Sequence, residues 1–474
     1  MRPRSHRQIS FADYELDQQG ILLDPEMQAI SDFLDGLPEL TELVREDLVR
    51  GLRDPGRGRP GLTAECVLRS LVLWRMKDWT YRELRERIAD GRALRVFTRF
   101  RMNPVPRHHA FQRAFCRLMP ETLREVNDQV VKAAKERGLA KGERLRIDAT
   151  VVSSDIRYPT DGGLLSDAVR VLTRLAKALG ELAPKALEGF SDRTRCAKKR
   201  AYEIQRLARG NKKTKMRRKY RHLIQVTEEV LEMSAAAVDR VREALPVAPI
   251  DALGAEGICV EIAHFAELGR RVVDQTRRRV LFGETVPAQE KIVSLFEPHA
   301  DIIVRNKAGK PVEFGHKTFL AETEGGWIIL YEVVDGNPPD APWVVPALEK
   351  HVVIFDHVPE VFTGDRGFYS RANVNHCEEA GVKTESFPYK GSKRPKYRTP
   401  HEKSPKFKQA QGFRNGVEGR ISVLVRGRGM GRCPLHGRER FVLFVAAAIL
   451  ANNLKRTAAA MLESKQGSGS PRAA

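Results

Sequence analysis

Apolar residues recur three and four positions apart over most of this chain and give way to short strand-like runs in a few places. The clearest helical stretch follows Thr63, a suitable N-cap, with Val67, Leu68, Leu71, Val72 and Met76 on one face. Lys77-Asp78-Trp79 reads as a turn. A second helix opens at Thr80, and Glu83 completes a capping-box signature. Its Leu84 and Ile88 face inward, while Arg82, Arg85 and Arg87 face out. Helices continue over 109–137. A short apolar strand, 144–147, leads into Asp148, continues through Val151 and Val152, and ends in a loop over 158–163. The helical period returns from 164 to about 245. Near Val312 it changes again, to strands over 313–320 and 327–334 separated by Glu324-Gly325-Gly326, a hairpin signal. A helix over 344–351, strands over 360–364 and 382–387, a basic loop over 389–408, and helices over 413–425 and 441–454 complete the pattern. The region 1–58 is mixed, and the Ser/Gly-rich end of the chain reads as disordered.

Two helices joined by a short turn, the second one basic, have the shape of a helix-turn-helix, with Arg82, Arg85 and Arg87 as DNA contacts. Any helical hairpin with a solvated charged face fits the same pattern. Charge sharpens the choice. The 474 residues carry a formal net charge of +21, which favours polyanionic partners, DNA foremost and an anionic membrane surface second. Between 193 and 221 there are 14 Lys or Arg and one acid, Glu203. Lys198, Lys199, Arg200, Lys212, Lys213, Lys215, Arg217, Arg218 and Lys219 are the candidate DNA contacts there. A flexible solvated arm is the plainer reading of the same block.

The longest apolar run, 441–451, spans 11 residues and reads as a buried helix, too short to cross a bilayer. The N-terminus has no signal-peptide pattern, so a cytoplasmic location with no membrane partner is expected. The six cysteines form no CxxC pair and read as reduced thiols; Cys433 and His436 make a lone CxxH.

Three carboxylates stand in sheltered settings: Asp148 in Arg146-Ile147-Asp148-Ala149-Thr150, Asp365 in Gly364-Asp365-Arg366-Gly367, and Glu418 in Arg414-Asn415-Gly416-Val417-Glu418. Mg²⁺ prefers oxygen ligands and needs few of them when phosphate completes its shell. An Asp ending a strand is fixed by the sheet, and Arg414 lies one helical turn before Glu418. Each signal alone also fits an ordinary turn or helix cap, and Asp155, Asp161, Asp340 and Asp356 are competing acids.

As an ordered set these motifs, with Phe314-Gly315-His316-Lys317, resemble the bacterial insertion-sequence transposases of the DDE class. Val273-Asp-Gln-Thr-Arg-Arg-Arg-Val280, Ser294-Leu-Phe-Glu-Pro-His299 and Ala451-Asn452-Asn453-Leu454 add to the likeness, which covers most of 60–456. The resemblance implies an α/β fold: an RNase H-like mixed sheet flanked by helices, interrupted by a mostly helical insertion and preceded by an all-α helix-turn-helix-like domain. Asp148, Asp365 and Glu418 would be catalytic and hold two Mg²⁺ ions, with Mn²⁺ as a substitute. Arg414 would orient Glu418 or clamp a phosphate. The partners implied are double-stranded DNA, as element terminal inverted repeats and target, and a second copy of the chain on that DNA. The expected division is an N-terminal arm (1–58), a helical DNA-binding domain (59–140), catalytic core (141–165 and 302–456), a basic helical insertion (166–301) and a disordered tail (457–474). A catalytically silent DNA-binding regulator and a nuclease without strand transfer remain alternatives. Two departures stand out: Gln411 and Val425 occupy positions where related transposases often carry Tyr and Lys.

Overall fold

Small polar residues and prolines set most of the helix starts. The computed structural model describes residues 20, 23–54, 61–210, 212–243, 249–304, 311–393, 395–396 and 398–467. Asp24 caps α1 (Pro25–Asp35), and Pro38 occupies the first turn of α2 (Pro38–Val49). Thr63 caps α3 (Ala64–Lys77), which ends on Asp78 in the left-handed region. Thr80 and Glu83 form the full capping box of α4 (Tyr81–Asp90). Helices α5 (Arg92–Phe97), α6 (His108–Phe115) and α7 (Pro120–Glu136) follow. Then come β1 (Arg144–Ser154), α8 (Asp161–Leu182), α9 (Thr194–Arg209), α10 (Lys213–Glu243) and α11 (Pro249–Thr276). The remainder is β2 (Asp301–Val304), β3 (Val312–Thr323), β4 (Ile328–Val334), α12 (Val344–Phe355), β5 (Val361–Thr363), α13 (Arg371–Glu379), β6 (Thr384–Ser386), α14 (Arg398–Lys403), α15 (Pro405–Gly427), β7 (Arg432–Cys433) and α16 (Arg438–Gly467).

The fold is mixed α/β. Contacts divide the chain into two units, 1–153 with 316–474, and 154–315. One mixed sheet has the strand order β2-β3-β1-β5-β6, with β4 on β3 and β7 on β1. β3 and β4 are antiparallel, whereas β1, β5 and β6 run parallel to one another. In the first unit, apolar side chains from α1–α7 share one core with β4 and α16, through Phe33, Leu71, Phe115, Ile328 and Phe444. A second core, with Leu145, Ile147, Phe319, Phe362 and Phe387, lies against α12. The second unit has its own core, built from α8–α11.

Several sequence expectations change here. The segment 1–58 is more than an arm, because Met27, Ile30, Phe33 and Leu34 of α1 and Leu40, Val44 and Leu48 of α2 enter the first core. The helices of 59–140 share that core with α16 and do not stand apart as a domain. The loop over 158–163 is shortened, since Thr160 accepts from the Gly163 amide and starts α8 at Asp161. The basic loop over 389–408 contains α14 and the first turn of α15, which Ser404 caps. The tail expected from 457 is helical to Gly467, because Thr457 and Ala458 continue the buried face of α16. Residues 468–474, like 1–19, lie outside the described residues. Among the described residues one helix, Arg438–Lys465, has the length and apolarity to cross a bilayer, contrary to the expectation, but 83% of its apolar window is buried in the protein.

Asn452 and Asn453 explain why α16 carries amides in an apolar run. Among the described residues β4 pairs with β3 alone, and an unpaired strand edge leaves backbone groups without partners. Asn453 supplies both, accepting from the Ile328 amide (2.9 Å) and donating to the Ile328 carbonyl (2.8 Å). It also donates to Asn127 (2.8 Å), while Asn452 donates to the Gly326 carbonyl (3.3 Å). Asn453→Ala takes the partner from the Ile328 amide and from Asn127 Oδ1, at about 1–3 kcal/mol each, while the Ile328 carbonyl keeps Asn127 (3.2 Å). We expect a loss of about 2–4 kcal/mol in urea unfolding; a change below about 0.5 kcal/mol would contradict this account.

Candidate active site

The site grows from the pairing of β1 with β5. Their parallel register is Arg144 with Val361, Leu145 with Phe362 and Arg146 with Thr363. Two residues further along each chain stand Asp148 and Asp365, so the register brings these two acids to neighbouring positions. Asp148 does not end its strand as expected; β1 runs on to Ser154, and it is β5 that stops at Thr363. Asp148 is buried and accepts from the Ala149 amide (2.7 Å) and from Arg414 Nη2 (3.2 Å). Asp365 is half-buried, and its Oδ1 accepts from the Gly367 amide (2.7 Å), an Asx-type turn that fixes the carboxylate.

Helix α15 brings the third acid. Arg414 reaches Asp148 with one terminal nitrogen and lies 3.9 Å from Glu418 Oε1 with the other. Glu418 itself is 76% exposed and hydrogen-bonds to neither aspartate. The structure therefore joins Arg414 to Asp148, sets Asp365 two residues past the paired end of β5, and leaves Glu418 at the rim, one helical turn from Arg414.

Three features hold α15 in place. The Arg146 guanidinium donates to the Phe413 carbonyl (2.7 Å) and stacks on the Phe413 ring, 4.7 Å from its centroid. Buried Glu322 on β3 accepts from Arg146 (2.9 and 3.0 Å) and from Arg420 of α15 (2.8 Å). Gly416 permits the approach, since a Cβ there would lie 2.4 Å from Arg146 Nη1. Gln411 is the third tie. It donates to the Ser386 carbonyl (2.7 Å) and to Thr363 Oγ1 (3.1 Å), pinning α15 to the ends of β5 and β6. The residue that departs from the family pattern is thus a structural anchor. Val425, the other departure, is half-buried near the end of α15.

Sequence reasoning placed Asp340 among competing acids and missed its place in the site. Its Oδ1 lies 2.5 Å from Lys317 Nζ, and that lysine also donates to the Pro338 carbonyl (2.8 Å). A Cβ on Gly367 would fall 2.3 Å from Asp340 Oδ2 and 2.9 Å from Asp365 Oδ1, so the two carboxylates face one another across that glycine. The signal was present in Lys317 of the 314–317 motif and in the Gly336-Asn337-Pro338-Pro339 turn before Asp340. Of the other competing acids, Asp161 belongs to the second unit, where it pairs with Arg279 (2.9 Å) and burial raises its pKa. Asp356 is an exposed helix end paired with Lys135.

Apart from Arg414 at the acid site, the predicted DNA contacts fall in two places, each within its own unit. On α4, Arg82 and Arg87 are exposed and Arg85 is half-buried. In the second unit, α9 and α10 form a helical hairpin whose outer face carries the basic block. Arg200 and Lys219 both pair with Glu203 (2.8 Å each). Lys198, Lys199, Lys212, Lys213, Lys215, Arg217 and Arg218 are exposed and have no acidic partner among the described residues. Tyr202 stands among them, 61% exposed.

No protein-family model, curated protein or solved structure matches this chain.

The buried and exposed acids of the site should separate in a stability measurement. Removing Glu322 leaves two cationic side chains in a largely buried setting without their shared carboxylate. Glu322→Ala should therefore cost about 3–5 kcal/mol in chemical unfolding, whereas Glu418→Gln should stay within about 0.5 kcal/mol of the parent. Equal losses in the two variants would refute the assignment of Glu322 as the anchor.

Proposed function

We propose that this chain is a DNA transposase of the DDE type, which binds the ends of its element and carries out metal-dependent strand cleavage and strand transfer. The observation that carries the reading is the β1–β5 register, which makes Asp148 and Asp365 neighbours, with Arg414 spanning Asp148 and Glu418. Strand order supports it. An antiparallel β3–β4 hairpin beside β1, followed by β5 and β6 parallel to β1, agrees with the order an RNase H-like core would have.

The donors fit a hard cation. They are carboxylate oxygens with no sulfur or imidazole among them, and Oδ2 of Asp365 takes no hydrogen bond among the described residues. Asp148, Asp365 and Glu418 would hold two Mg²⁺ ions, or Mn²⁺ in their place. Bound there, the ions would supply activation of the attacking oxygen and stabilisation of the leaving one. The chain's own residues do the rest. Arg414 holds Asp148 now and can turn to a phosphate oxygen as a bidentate donor. Lys317 balances Asp340, so a carboxylate facing Asp365 adds less repulsion. Arg82, Arg85 and Arg87 supply the end-binding face, and the α9–α10 hairpin grips backbone phosphates without reading sequence. A homodimer on DNA and a cytoplasmic location belong to the same proposal, since joining two ends calls for two sites.

A strand-transfer assay with the DNA flanking the gene, run with and without Mg²⁺, tests the reading. Joined products that need Mg²⁺ support it. Cleavage without joining would indicate a nuclease, and binding without cleavage a silent regulator. Asp148→Asn should abolish cleavage and leave end binding within about twofold; cleavage that survives this change sinks the site assignment.

The hairpin makes a separate forecast. Each lysine that releases a counterion contributes about 0.9 to the slope of log affinity against log salt. Replacing Lys212, Lys213 and Lys215 with Gln should therefore lower that slope by about 2–3, equally on specific and unrelated duplexes. An unchanged slope would remove the hairpin from the DNA-binding surface.

A further inference from the structure

Helix α6 opens on three basic residues in a row, Arg107, His108 and His109. It packs on α4 through Phe115 and Tyr81, whose ring centroids lie 5.8 Å apart. Phe111, Ala114 and Phe115 are buried, which leaves the opposite face to solvent. Arg107, His109 and Arg113 are exposed and open onto one groove of about 760 Å³. No acidic side chain among the described residues lines that groove. His108 is half-buried, and its ring lies against that of His109 with centroids 4.4 Å apart.

The charge of this face is not balanced within the protein. The side chains of Arg82, Arg107, His109 and Arg113 make no ion pair or hydrogen bond among the described residues. Charges from two helices bear on His108. His109, Arg82 and Arg107 disfavour its protonated form, and Glu86 of α4 favours it. Partial burial acts in the same direction as the like charges and is the largest effect, so the His108 imidazole titrates below its usual range. The start of a helix adds positive potential at the same place. The proposed strand-transfer chemistry uses no histidine.

We propose that Arg82, Arg107, His108, His109 and Arg113 form one face for DNA backbone phosphate, and that the histidine pair takes up a proton when DNA binds. The inference rests on the DNA reading above and adds a regulation to it. A phosphate supplies the negative charge that the face lacks. Beside a phosphate an imidazolium is stabilised, and both of its ring nitrogens donate. With no anion in the groove, Arg82, Arg107 and the neighbouring imidazole repel that proton. The free protein therefore holds fewer protons on the pair than the complex does. Affinity for DNA then rises as pH falls through the histidine range, by at most about tenfold per pH unit for each proton taken up.

The test uses the full chain and a fluorescent duplex carrying the DNA that flanks the gene, titrated at fixed salt. Affinity should fall at least about threefold between about pH 6 and pH 8. The double variant His108→Gln with His109→Gln should bind within about twofold of the parent at the upper pH and lose most of the pH dependence. Both residues lie at the solvent face, so the variant should melt as the parent does. Arg107→Gln should lower the slope of log affinity against log salt by about 1 at either pH. Affinity independent of pH in the parent, or a pH dependence that survives in the double variant, would overturn the proton uptake and leave the DNA reading standing. An unchanged salt slope in Arg107→Gln would overturn the phosphate contact. Absence of duplex binding at every pH would overturn both this inference and the reading it rests on.

Discussion

Everything at the site depends on one buried carboxylate. Glu322 is 1% exposed and holds two arginines that come from different elements, Arg146 of β1 and Arg420 of α15. A buried ion pair gives weak evidence of net stability, because desolvation offsets much of the attraction. What it does supply is position. Once Glu322 has taken the Nε and Nη2 face of Arg146, only Nη1 is left to donate, and it meets the Phe413 carbonyl. The helix is thereby fixed along its length relative to β1, with Arg420 as the second tether about two turns on. Arg414 and Glu418 lie between these tethers. A helix held at Phe413 and at Arg420 has little freedom to slide, so the reach of Arg414 to Asp148 follows from the anchor and not from the salt bridge itself.

The local structure was largely legible in the sequence, for physical reasons that differ by element. The α3–α4 hairpin was readable because capping chemistry is local: Thr63, Thr80 and Glu83 act within one turn of themselves. The β3–β4 hairpin was readable because Gly325 and Gly326 sit at positive φ, where other residues are strained. What could not be read was anything decided by partners distant in the chain. α1 and α2 looked like an arm because their apolar faces are satisfied by helices that come later. The amides at 452–453 gave no sign of their partners, because Gly326 and Ile328 lie more than a hundred residues away.

The same division runs through the site. The three acids and Arg414 were legible as motifs. Their neighbours were not. Gly416 and Gly367 gave no hint of their purpose, since each exists for an atom brought in from elsewhere: Arg146 Nη1 against one, Asp340 Oδ2 against the other. Gln411 looked like a lost contact only when measured against a family pattern. Against the ends of β5 and β6 it is a donor shared among several oxygens. A motif residue is thus better understood from what it touches than from what usually stands there.

The position of Glu418 follows from electrostatics on the proposed reading. Asp148, Asp340 and Asp365 already crowd the end of β5, with Arg414 and Lys317 as the nearby cations. A fourth carboxylate brought inward would meet like charge, which raises the cost of keeping it ionised. At the rim Glu418 stays in water, where its charge costs nothing, and 3.9 Å from Arg414. Divalent cations, if held there as proposed, would reverse that balance, because they would turn mutual repulsion among the acids into shared attraction. On that reading phosphate would compete with Asp148 for Arg414, whose fork geometry suits either partner. The exposed Glu418 and the occupied Arg414 are therefore two sides of one charge balance, set by how many carboxylates the end of β5 can hold without a cation.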